Sequence, residues 1–270
     1  MSWFDAILLG ILEGLTEFLP VSSTGHLILL GSWLGHESEA AKTLEVVIQL
    51  GAVLAVVMYY RARLVDLGRG VLARDPGSLK VVLALGIAFV PAAALGLLFH
   101  KIIKEVLFGP MPVALALIVG GVVMIGVERL QRKRGQEGLT RLEDVTPRRA
   151  LIIGLAQSFA LWPGASRSMS SILGGQLVGL STAAAAEFSF LLAIPTLGAA
   201  TVFDLIKNGR ALLEAPGGLL ALGVGLVVSF VVALLVISGF LRYLKRFGLS
   251  PFGWYRIVLG ALVIVFASRG

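Results

Sequence analysis

The feature that most constrains this chain is its series of long apolar runs. The run VVLALGIAFVPAAALGLLF at 81–99 contains no charged residue, and LLALGVGLVVSFVVALLVI at 219–237 contains none either. An α-helix needs about 20 mostly apolar residues to cross the hydrocarbon core of a bilayer. Hydrophobic residues make up 57% of the chain and charged residues 14%, which is too little charge to cover a soluble domain of this length. We therefore predict an all-α integral membrane protein.

Two further apolar segments are too short to cross a bilayer, and polar residues interrupt both of them. The segment 5–19 would form a helix of about 22 Å at 1.5 Å per residue, against roughly 30 Å of hydrocarbon. Pro20 and the sequence VSSTG end this helix, and a second short helix follows. PGASRS interrupts the segment 150–180 in the same way. We predict that 5–35 and 150–180 are re-entrant hairpins whose irregular backbone lines a cavity.

The two hairpins are related by an internal repeat at an offset of about 144 residues. At this offset the equivalent pairs are Glu13 and Gln157, Ser22 and Ser166, and Thr24 and Ser168. At an offset of 142 residues, Glu45 is equivalent to Glu187. The later spans follow in the same order in both halves, so order and spacing support the repeat.

Each repeat is predicted to contain one re-entrant hairpin and three transmembrane helices. The predicted ranges of the first repeat, 1–135, are the hairpin 5–35 and spans at about 44–60, 81–99 and 113–129. The predicted ranges of the second repeat, 136–270, are the hairpin 150–180 and spans at about 187–205, 219–240 and 252–268. Because three is odd, the second half enters the membrane inverted. We expect one integrated membrane domain with its functional site at the midplane, where the halves meet.

The basic residues predict the orientation of the chain. Most of the 23 Lys and Arg residues lie in three segments, 61–80, 129–149 and 242–250, which the predicted topology places on one side. The positive-inside rule makes that side cytoplasmic, with both termini outside. The first Lys or Arg is Lys42, so we expect no signal peptide. The chain has no cysteine, which excludes disulfides and thiolate metal sites, and its net charge of +7 reflects topology signals rather than nucleic-acid binding.

The first polar break carries two carboxylates and a run of hydroxyls. Glu13 and Glu17 share one helix face, and like charges at this spacing repel each other. The pair therefore needs a proton, a metal ion or a nearby cation, unless it lies at a wet interface. The residues that follow are Ser22, Ser23, Thr24 and His26. Ser and Thr here are typical helix N-caps, but a histidine beside two glutamates favours acid–base or phosphate-binding chemistry.

The second break adds a cation to the predicted site. Arg167 lies between Ser166 and Ser168, where a short helix begins. A guanidinium at membrane depth needs an anionic partner, either Glu13 or Glu17 as an ion pair or a phosphate bound in bidentate fashion. We favour phosphate, because two helix N-termini and several hydroxyls gather at the same place. Its depth in the membrane suggests that the phosphorylated substrate is a lipid.

Other polar residues receive secondary roles. Glu45 and Glu187 begin equivalent spans and are expected to fix the hairpins. Arg256, in PFGWYR, is expected to be an interfacial anchor, although a role near the site is also open.

The motifs resemble those of the bacitracin-resistance family of undecaprenyl-pyrophosphate phosphatases, over essentially the whole chain. EGLTEFLPVSSTGH matches the family's acidic motif, and PGASRSMSS matches its Pro-Gly-x-Ser-Arg-Ser motif. The family ends the second motif with threonine, whereas Ser171 stands there in this chain, which keeps a hydroxyl group.

The resemblance implies hydrolysis of a C55 polyprenyl diphosphate to the monophosphate, which recycles the lipid carrier for peptidoglycan. It implies a divalent cation, Mg²⁺ or Ca²⁺, and resistance to bacitracin, which sequesters the substrate. It also implies a bacterial inner membrane and an active site that faces the periplasm. The expected partners are the lipid substrate and membrane lipids, with no nucleic acid, and a homodimer is one assembly open to the chain.

Our hypothesis assigns chemistry to the residues of both breaks. Arg167, Ser166, Ser168, Ser22 and Thr24 bind the pyrophosphate, and Glu17 acts as a general base or a metal ligand. Glu13 helps to hold the cation, Ser23 or a water attacks the phosphorus, and His26 transfers the proton. Secondary roles are assigned to Ser171, Gln157, Glu45 and Glu187. The alternatives are a polyprenyl-phosphate flippase or proton-coupled transporter, and a receptor that only binds the headgroup.

Overall fold

The structure is a computed structural model that describes residues 3–33, 35, 38–107, 109–134 and 138–267. Its described part is helical, apart from an isolated parallel bridge between Leu139 and Leu180. The helices are α1 (Trp3–Thr16), α2 (Ser23–Trp33), α3 (Glu39–Val47), α4 (Gln49–Tyr59), α5 (Arg61–Leu72), α6 (Pro76–Val106), α7 (Pro110–Arg134), α8 (Pro147–Ser158), α9 (Arg167–Leu177), α10 (Thr182–Glu214), α11 (Gly218–Phe247) and α12 (Ser250–Ala267). The predicted boundary at 135–136 and both chain termini lie outside the described residues.

Five segments of the described chain are long and apolar enough to cross a membrane. They are Ala41–Tyr59, Pro76–Phe99, Pro110–Lys133, Thr182–Glu214 and Gly218–Leu244. α12 is shorter, with 18 residues, and is also apolar. These helices suit a multi-pass membrane protein. The span predicted at 44–60 consists of α3 and α4, which meet at Ile48.

The helices of the two interrupted segments are short. α1 has 14 residues, and α8 has 12, so at 1.5 Å per residue neither exceeds about 21 Å. α2 and α9 have 11 residues each. A polar break separates α1 from α2, and another separates α8 from α9, as the sequence indicates. Pro20 and Pro163 interrupt regular helix at these breaks.

Two basic segments that we expected to be loops are largely helical, and one of them, 242–250, contains the end of α11 and the start of α12. The stretch 61–80, which we expected to be a loop, contains α5 and the start of α6. α5 is helical because its apolar residues recur at helical spacing, so that Leu64 and Leu67 pack against the core. Asp75 then caps α6, since its side chain accepts a hydrogen bond from Ser78 N at 2.7 Å.

The packing partners come from distant parts of the chain. α1 packs against α11, α8 packs against α6, and α7 packs against α12. Glycines allow the first two contacts to be close: a Cβ atom at Gly10 would lie 2.8 Å from Gly225 O, and one at Gly154 would lie 2.5 Å from Ala88 O. Small residues at such contacts are typical of membrane helix packing. The polar breaks at 20–25 and 163–168 lie inside this arrangement, because all of their residues except Thr24 and Arg167 are buried.

Candidate active site

Both polar breaks use the same unusual backbone conformation. Ser22 has a φ of 75° and Ser166 has a φ of 70°, a region that residues other than glycine rarely adopt. The Oγ atom of Ser22 accepts a hydrogen bond from Gly25 N at 3.2 Å, and that of Ser166 accepts one from Met169 N at 3.2 Å. Each serine therefore caps the helix that follows it. Such backbone costs about 1–3 kcal/mol per residue and is concentrated at functional sites.

The carboxylate of Glu17 joins the two breaks. Its Oε2 atom accepts a hydrogen bond from the Ser23 hydroxyl of the first break. Its Oε1 atom accepts from the Arg167 guanidinium of the second break, with Nη2 at 3.1 Å and Nε at 3.3 Å. The side chains of Glu17 and Arg167 are only 5% and 10% exposed, so this ion pair is shielded from bulk water. The Glu17 carboxylate is itself a potential base. It therefore contacts both a potential nucleophile, Ser23, and a cation, Arg167.

Arg167 is held from its other side by α10. Its Nη1 atom donates to Ser189 O at 2.8 Å and to Ser189 Oγ at 3.3 Å. The Phe18 ring lies against the guanidinium, 5.7 Å from its centroid. The Oγ atom of Ser171 lies 2.7 Å from that of Ser189, so this hydroxyl supports the residue that holds Arg167. Sequence reasoning missed Ser189, whose only signal was a hydroxyl two residues after Glu187 in an apolar helix.

Glu13 is the most buried acid of the cluster. Its side chain is 0% exposed, and neither of its oxygens accepts a hydrogen bond from a donor in the described residues. The carboxyl group instead interacts with that of Glu17, and also electrostatically with Arg167 and Glu45. Two adjacent carboxyl groups, of which Glu13 has both oxygens unused, suit a hard divalent cation. No group of three or more acidic or histidine side chains in the described chain could hold a metal, so the remaining ligands would be other oxygens.

His26 is fixed through both of its ring nitrogens. Nδ1 lies 2.7 Å from Ser22 O, and Nε2 lies 2.7 Å from the Tyr255 hydroxyl. Because a carbonyl can only accept, Nδ1 carries the proton, and Nε2 of the neutral ring accepts from Tyr255. The two rings are stacked, with their centroids 5.8 Å apart. His26 is therefore in the break, but its hydrogen bonds lead to α12 rather than to Ser23.

The hydroxyls of the second break reach the first break. The Oγ atom of Ser168 donates to Leu19 O at 3.0 Å and lies 3.0 Å from Ser166 Oγ. Thr24, in the first turn of α2, is half-buried. The N-terminus of α9 therefore lies beside the first break, from which α2 begins. The backbone N–H groups in the first turn of a helix favour an anion.

Within the described residues, the secondary candidates Glu187 and Gln157 form no hydrogen bond with Glu17. Glu187 lies near Arg63, with Oε1 3.8 Å from Nε, and Arg63 donates to Glu143 at 2.6 Å. Burial raises the pKa of Glu143, but the Arg63 hydrogen bond and further partners hold this pKa below its ordinary value. Gln157 is buried, and its amide has no hydrogen-bond partner among the described residues.

Arg256 is a correction to the sequence analysis. We expected an interfacial anchor and left a role near the site open; its side chain is 0% exposed and donates only to backbone carbonyls in the protein interior, two of them in the breaks. The interfacial reading fits its neighbour Trp254, which is 56% exposed. A charged residue within an apolar segment was the signal that marked Arg256 as unusual.

Comparison with known proteins identifies the chain's relatives. The family model described as bacitracin resistance protein BacA matches residues 6–262. The undecaprenyl-diphosphatase of Sorangium cellulosum is 75% identical over 98% of this chain and 86% of its own length. Undecaprenyl-diphosphatase 2 of Rhodospirillum rubrum is 52% identical over 98% of this chain and 95% of its own. The undecaprenyl-diphosphatase of Caldanaerobacter subterraneus is 48% identical over 98% of this chain and 96% of its own.

Proposed function

The chain belongs to the bacitracin resistance protein BacA family, and from that premise we propose that its two polar breaks form the active site of an undecaprenyl-diphosphatase. The enzyme hydrolyses undecaprenyl diphosphate to undecaprenyl phosphate and inorganic phosphate. This reaction returns the lipid carrier to cell-wall synthesis and underlies bacitracin resistance, as the family description indicates.

The observation that carries the assignment of the site is the hydrogen bond from Ser23 to Glu17. In the proposed mechanism, Ser23 Oγ attacks the terminal phosphorus and Glu17 takes the hydroxyl proton. The bond from that phosphorus to the bridging oxygen breaks, and undecaprenyl phosphate leaves. Water then hydrolyses the phosphoserine and releases inorganic phosphate. Glu17 gives the proton it took to the departing undecaprenyl phosphate, and the proton of the attacking water goes to Ser23 Oγ. His26, one helical turn after Ser22, is assigned to this second proton transfer, with Nε2, the nitrogen that accepts from Tyr255, as the atom that carries the proton.

Arg167 is the proposed anchor for the diphosphate. Its guanidinium already bonds one carboxylate oxygen through two nitrogens, which is the geometry that a phosphate oxygen would take over. Charge that develops on the phosphoryl oxygens is then stabilised by Arg167 in a site with little water. The hydroxyls and backbone N–H groups at Ser22, Thr24, Ser166 and Ser168 complete the binding site.

A divalent cation, Mg²⁺ or Ca²⁺, is part of the proposal. Glu13 and Glu17 would hold it, because Glu13 offers two buried oxygens that no described donor uses. The ion would neutralise the phosphate charge when bound. Without it, the two neighbouring carboxylates repel each other and the substrate, so we expect chelators to lower activity.

We also propose that the two halves are inverted repeats, each with a re-entrant hairpin. The exchanged packing supports this, because α1 of the first half contacts α11 of the second and α8 contacts α6 in the reciprocal way. The matching caps at Ser22 and Ser166, which are 144 residues apart, support it as well. The polar site then lies within the membrane, where a lipid diphosphate can reach it.

The proposed location is the bacterial inner membrane, with the active site and both termini facing the periplasm. The excess of Lys and Arg in 61–80, 129–149 and 242–250 supports a cytoplasmic position for these three segments. Bacitracin would compete by sequestering the diphosphate headgroup. A homodimer in the membrane is compatible with this arrangement.

The experiment is phosphate release from a C55 diphosphate by the detergent-purified protein, with Mg²⁺, with Ca²⁺ and with a chelator. We expect turnover that requires a divalent cation and that Arg167→Ala abolishes without loss of folded protein. Folded wild-type protein that releases no phosphate with either cation would overturn the proposed function. Movement of labelled lipid across liposomes by such inactive protein would favour the flippase alternative, which the named relatives do not support.

A further inference from the structure

Arg256 connects both polar breaks to α7 and α12. Its guanidinium donates to Pro20 O at 3.1 Å in the first break and to Gly164 O at 2.9 Å in the second. The other two acceptors are the carbonyls of Ala116, at 3.0 Å, and Leu117, at 3.4 Å, both in α7. One side chain of α12 therefore bonds three separate parts of the chain.

The two acceptors in the breaks are equivalent positions of the repeat. Pro20 and Gly164 are 144 residues apart, and each lies two residues before the serine with positive φ. Ser23 follows the first of these serines, and Arg167 follows the second. The two carbonyls therefore belong to the segments that carry the proposed nucleophile and the proposed anion-binding group.

The chemistry of arginine suits this task. A guanidinium carries five N–H donors in a rigid, planar fork, so it can hold several carbonyls at fixed directions. Within the described residues Arg256 forms no ion pair with a carboxylate, and carbonyl dipoles alone solvate its buried charge. Such burial is costly, which argues that geometry rather than stability is what the residue provides. Each of its three nitrogens donates to a carbonyl and its side chain is 0% exposed, so we do not expect Arg256 to contact the substrate.

α7 leaves space for the guanidinium at a glycine. A Cβ atom at Gly120 would lie 2.2 Å from Arg256 Nη2 and 2.9 Å from its Cζ atom. Any side chain at this position would therefore displace the fork from the carbonyls. Gly126, on the same helix, has no atom within 4 Å of an added Cβ.

We propose that Arg256 is a positioning residue for the hydrolysis, because its bonds to Pro20 and Gly164 set the distance between Ser23 and Arg167. This inference rests on the proposed function. It predicts that a positive charge without the fork does not suffice, since one ammonium group cannot hold both breaks and α7 together.

The first test compares Arg256→Lys and Arg256→Gln with wild type in the phosphate-release assay. We expect both variants to lose kcat on the order of 100-fold, because a small misplacement of reacting groups has effects of this size. KM should stay within about threefold of the wild-type value, since each break still binds its share of the headgroup. Wild-type kcat in Arg256→Lys would overturn the proposal, because charge alone would then be enough.

The second test keeps Arg256 and displaces its guanidinium group by adding a methyl group at Gly120. Gly120→Ala should lower kcat without a matching rise in KM, whereas the control Gly126→Ala should leave both unchanged. This pair decides the question even if the Arg256 variants do not fold. Wild-type kcat in folded Gly120→Ala, or an equal loss in Gly126→Ala, would overturn the positioning role. Wild-type protein without turnover would instead contradict the proposed function, so the two failures are distinguishable.

Discussion

At the scale of single residues, the central contact is the carboxylate of Glu17 between Ser23 and Arg167. One oxygen accepts from a hydroxyl and the other from a guanidinium, so the same group can take a proton and orient a cation. Both contacts are buried, where hydrogen bonds to charged groups are strong and their loss is costly.

The Ser23 hydroxyl is the proposed nucleophile, so Ser23→Ala should lose kcat by at least about 100-fold, as is typical when a group that acts in the chemical step is removed. The measurement is phosphate release at saturating lipid. The matched control is Ser229→Ala, because Ser229 is a buried serine of α11 whose Oγ has no partner among the described residues. If Ser23→Ala keeps most of its turnover, a water rather than Ser23 attacks the phosphorus.

Tyr255 holds the imidazole of His26, so its hydroxyl should matter even though it is far along the chain. Tyr255→Phe should lower kcat by about tenfold, less than the loss of roughly 100-fold or more that we expect for His26→Ala. The exposed neighbour Trp254 provides the control, and Trp254→Phe should leave kcat unchanged. Equal activity of Tyr255→Phe and wild type would mean that the 2.7 Å contact does not orient His26 for catalysis.

Sequence reasoning predicted Glu13, Glu17, Ser23 and Arg167 as one cluster because their polarity conflicts with an apolar chain, and the structure brings them together. Their chemical roles stay predictions. The helix periodicity of a sequence does not say which distant helix lies behind a break, so Tyr255 and Ser189 had no local signal that connects them with His26 and Arg167.

At the scale of helices, a carboxylate of α7 caps the N-terminus of α12. Glu128 of α7 is buried, and its Oε2 atom accepts hydrogen bonds from the backbone N–H groups of Leu249 and Ser250 and from the Ser250 hydroxyl. A negative charge at this end also complements the helix dipole. Because α12 carries Tyr255 and Arg256, this cap affects the position of residues that reach both breaks.

Removing the cap should destabilise the protein. Glu128→Ala leaves buried backbone N–H groups unsatisfied, so we expect a loss of about 1–3 kcal/mol of unfolding free energy and a lower midpoint in thermal unfolding in detergent. The matched variant is Arg132→Ala, which removes only an ion-pair partner of Glu128. Because the Arg132 side chain is 69% exposed, this variant should lose at most about 1 kcal/mol of unfolding free energy. Equal midpoints for Glu128→Ala and Arg132→Ala would contradict the capping role.

The apolar runs and the prolines predicted where most of these helices lie, because length and hydropathy are local properties. α5 was missed since its Arg61 and Arg63 were counted as loop charges, although Leu64 and Leu67 carry an apolar face. The junction of α3 and α4 at Ile48 was missed for another reason: the segment is apolar enough as a whole to be predicted as one span, and neither proline nor glycine stands at Ile48.

At the scale of the whole molecule, packing is reciprocal between the proposed halves. α1 packs on α11 and α8 packs on α6, while α7 and α12 pack on each other. An inverted repeat would produce such pairs, since each first helix then meets the second long span of the other half. Sequence order indicated the repeat, but the partners of each helix depend on contacts between distant segments.

The orientation can be tested with single cysteines, because the chain has none of its own. Ala73→Cys, after α5, and Pro216→Cys, between α10 and α11, both place the thiol at exposed positions. In intact cells with a permeable outer membrane, a membrane-impermeant maleimide should label Cys at 216 and not Cys at 73, as the positive-inside rule predicts. Labelling of both after lysis is the control, and the opposite pattern in intact cells would reverse the proposed topology.

The central claim is that the two breaks form one reaction site through Glu17 and Arg167, which are 150 residues apart in the sequence. The most direct test is a double-mutant cycle of kcat/KM with Glu17→Gln, Arg167→Lys and the double variant. Residues that act as one unit are strongly non-additive, so the double variant should stay within about threefold of the slower single variant. Losses that multiply would show that Glu17 and Arg167 act independently, and the account of a shared site would be wrong.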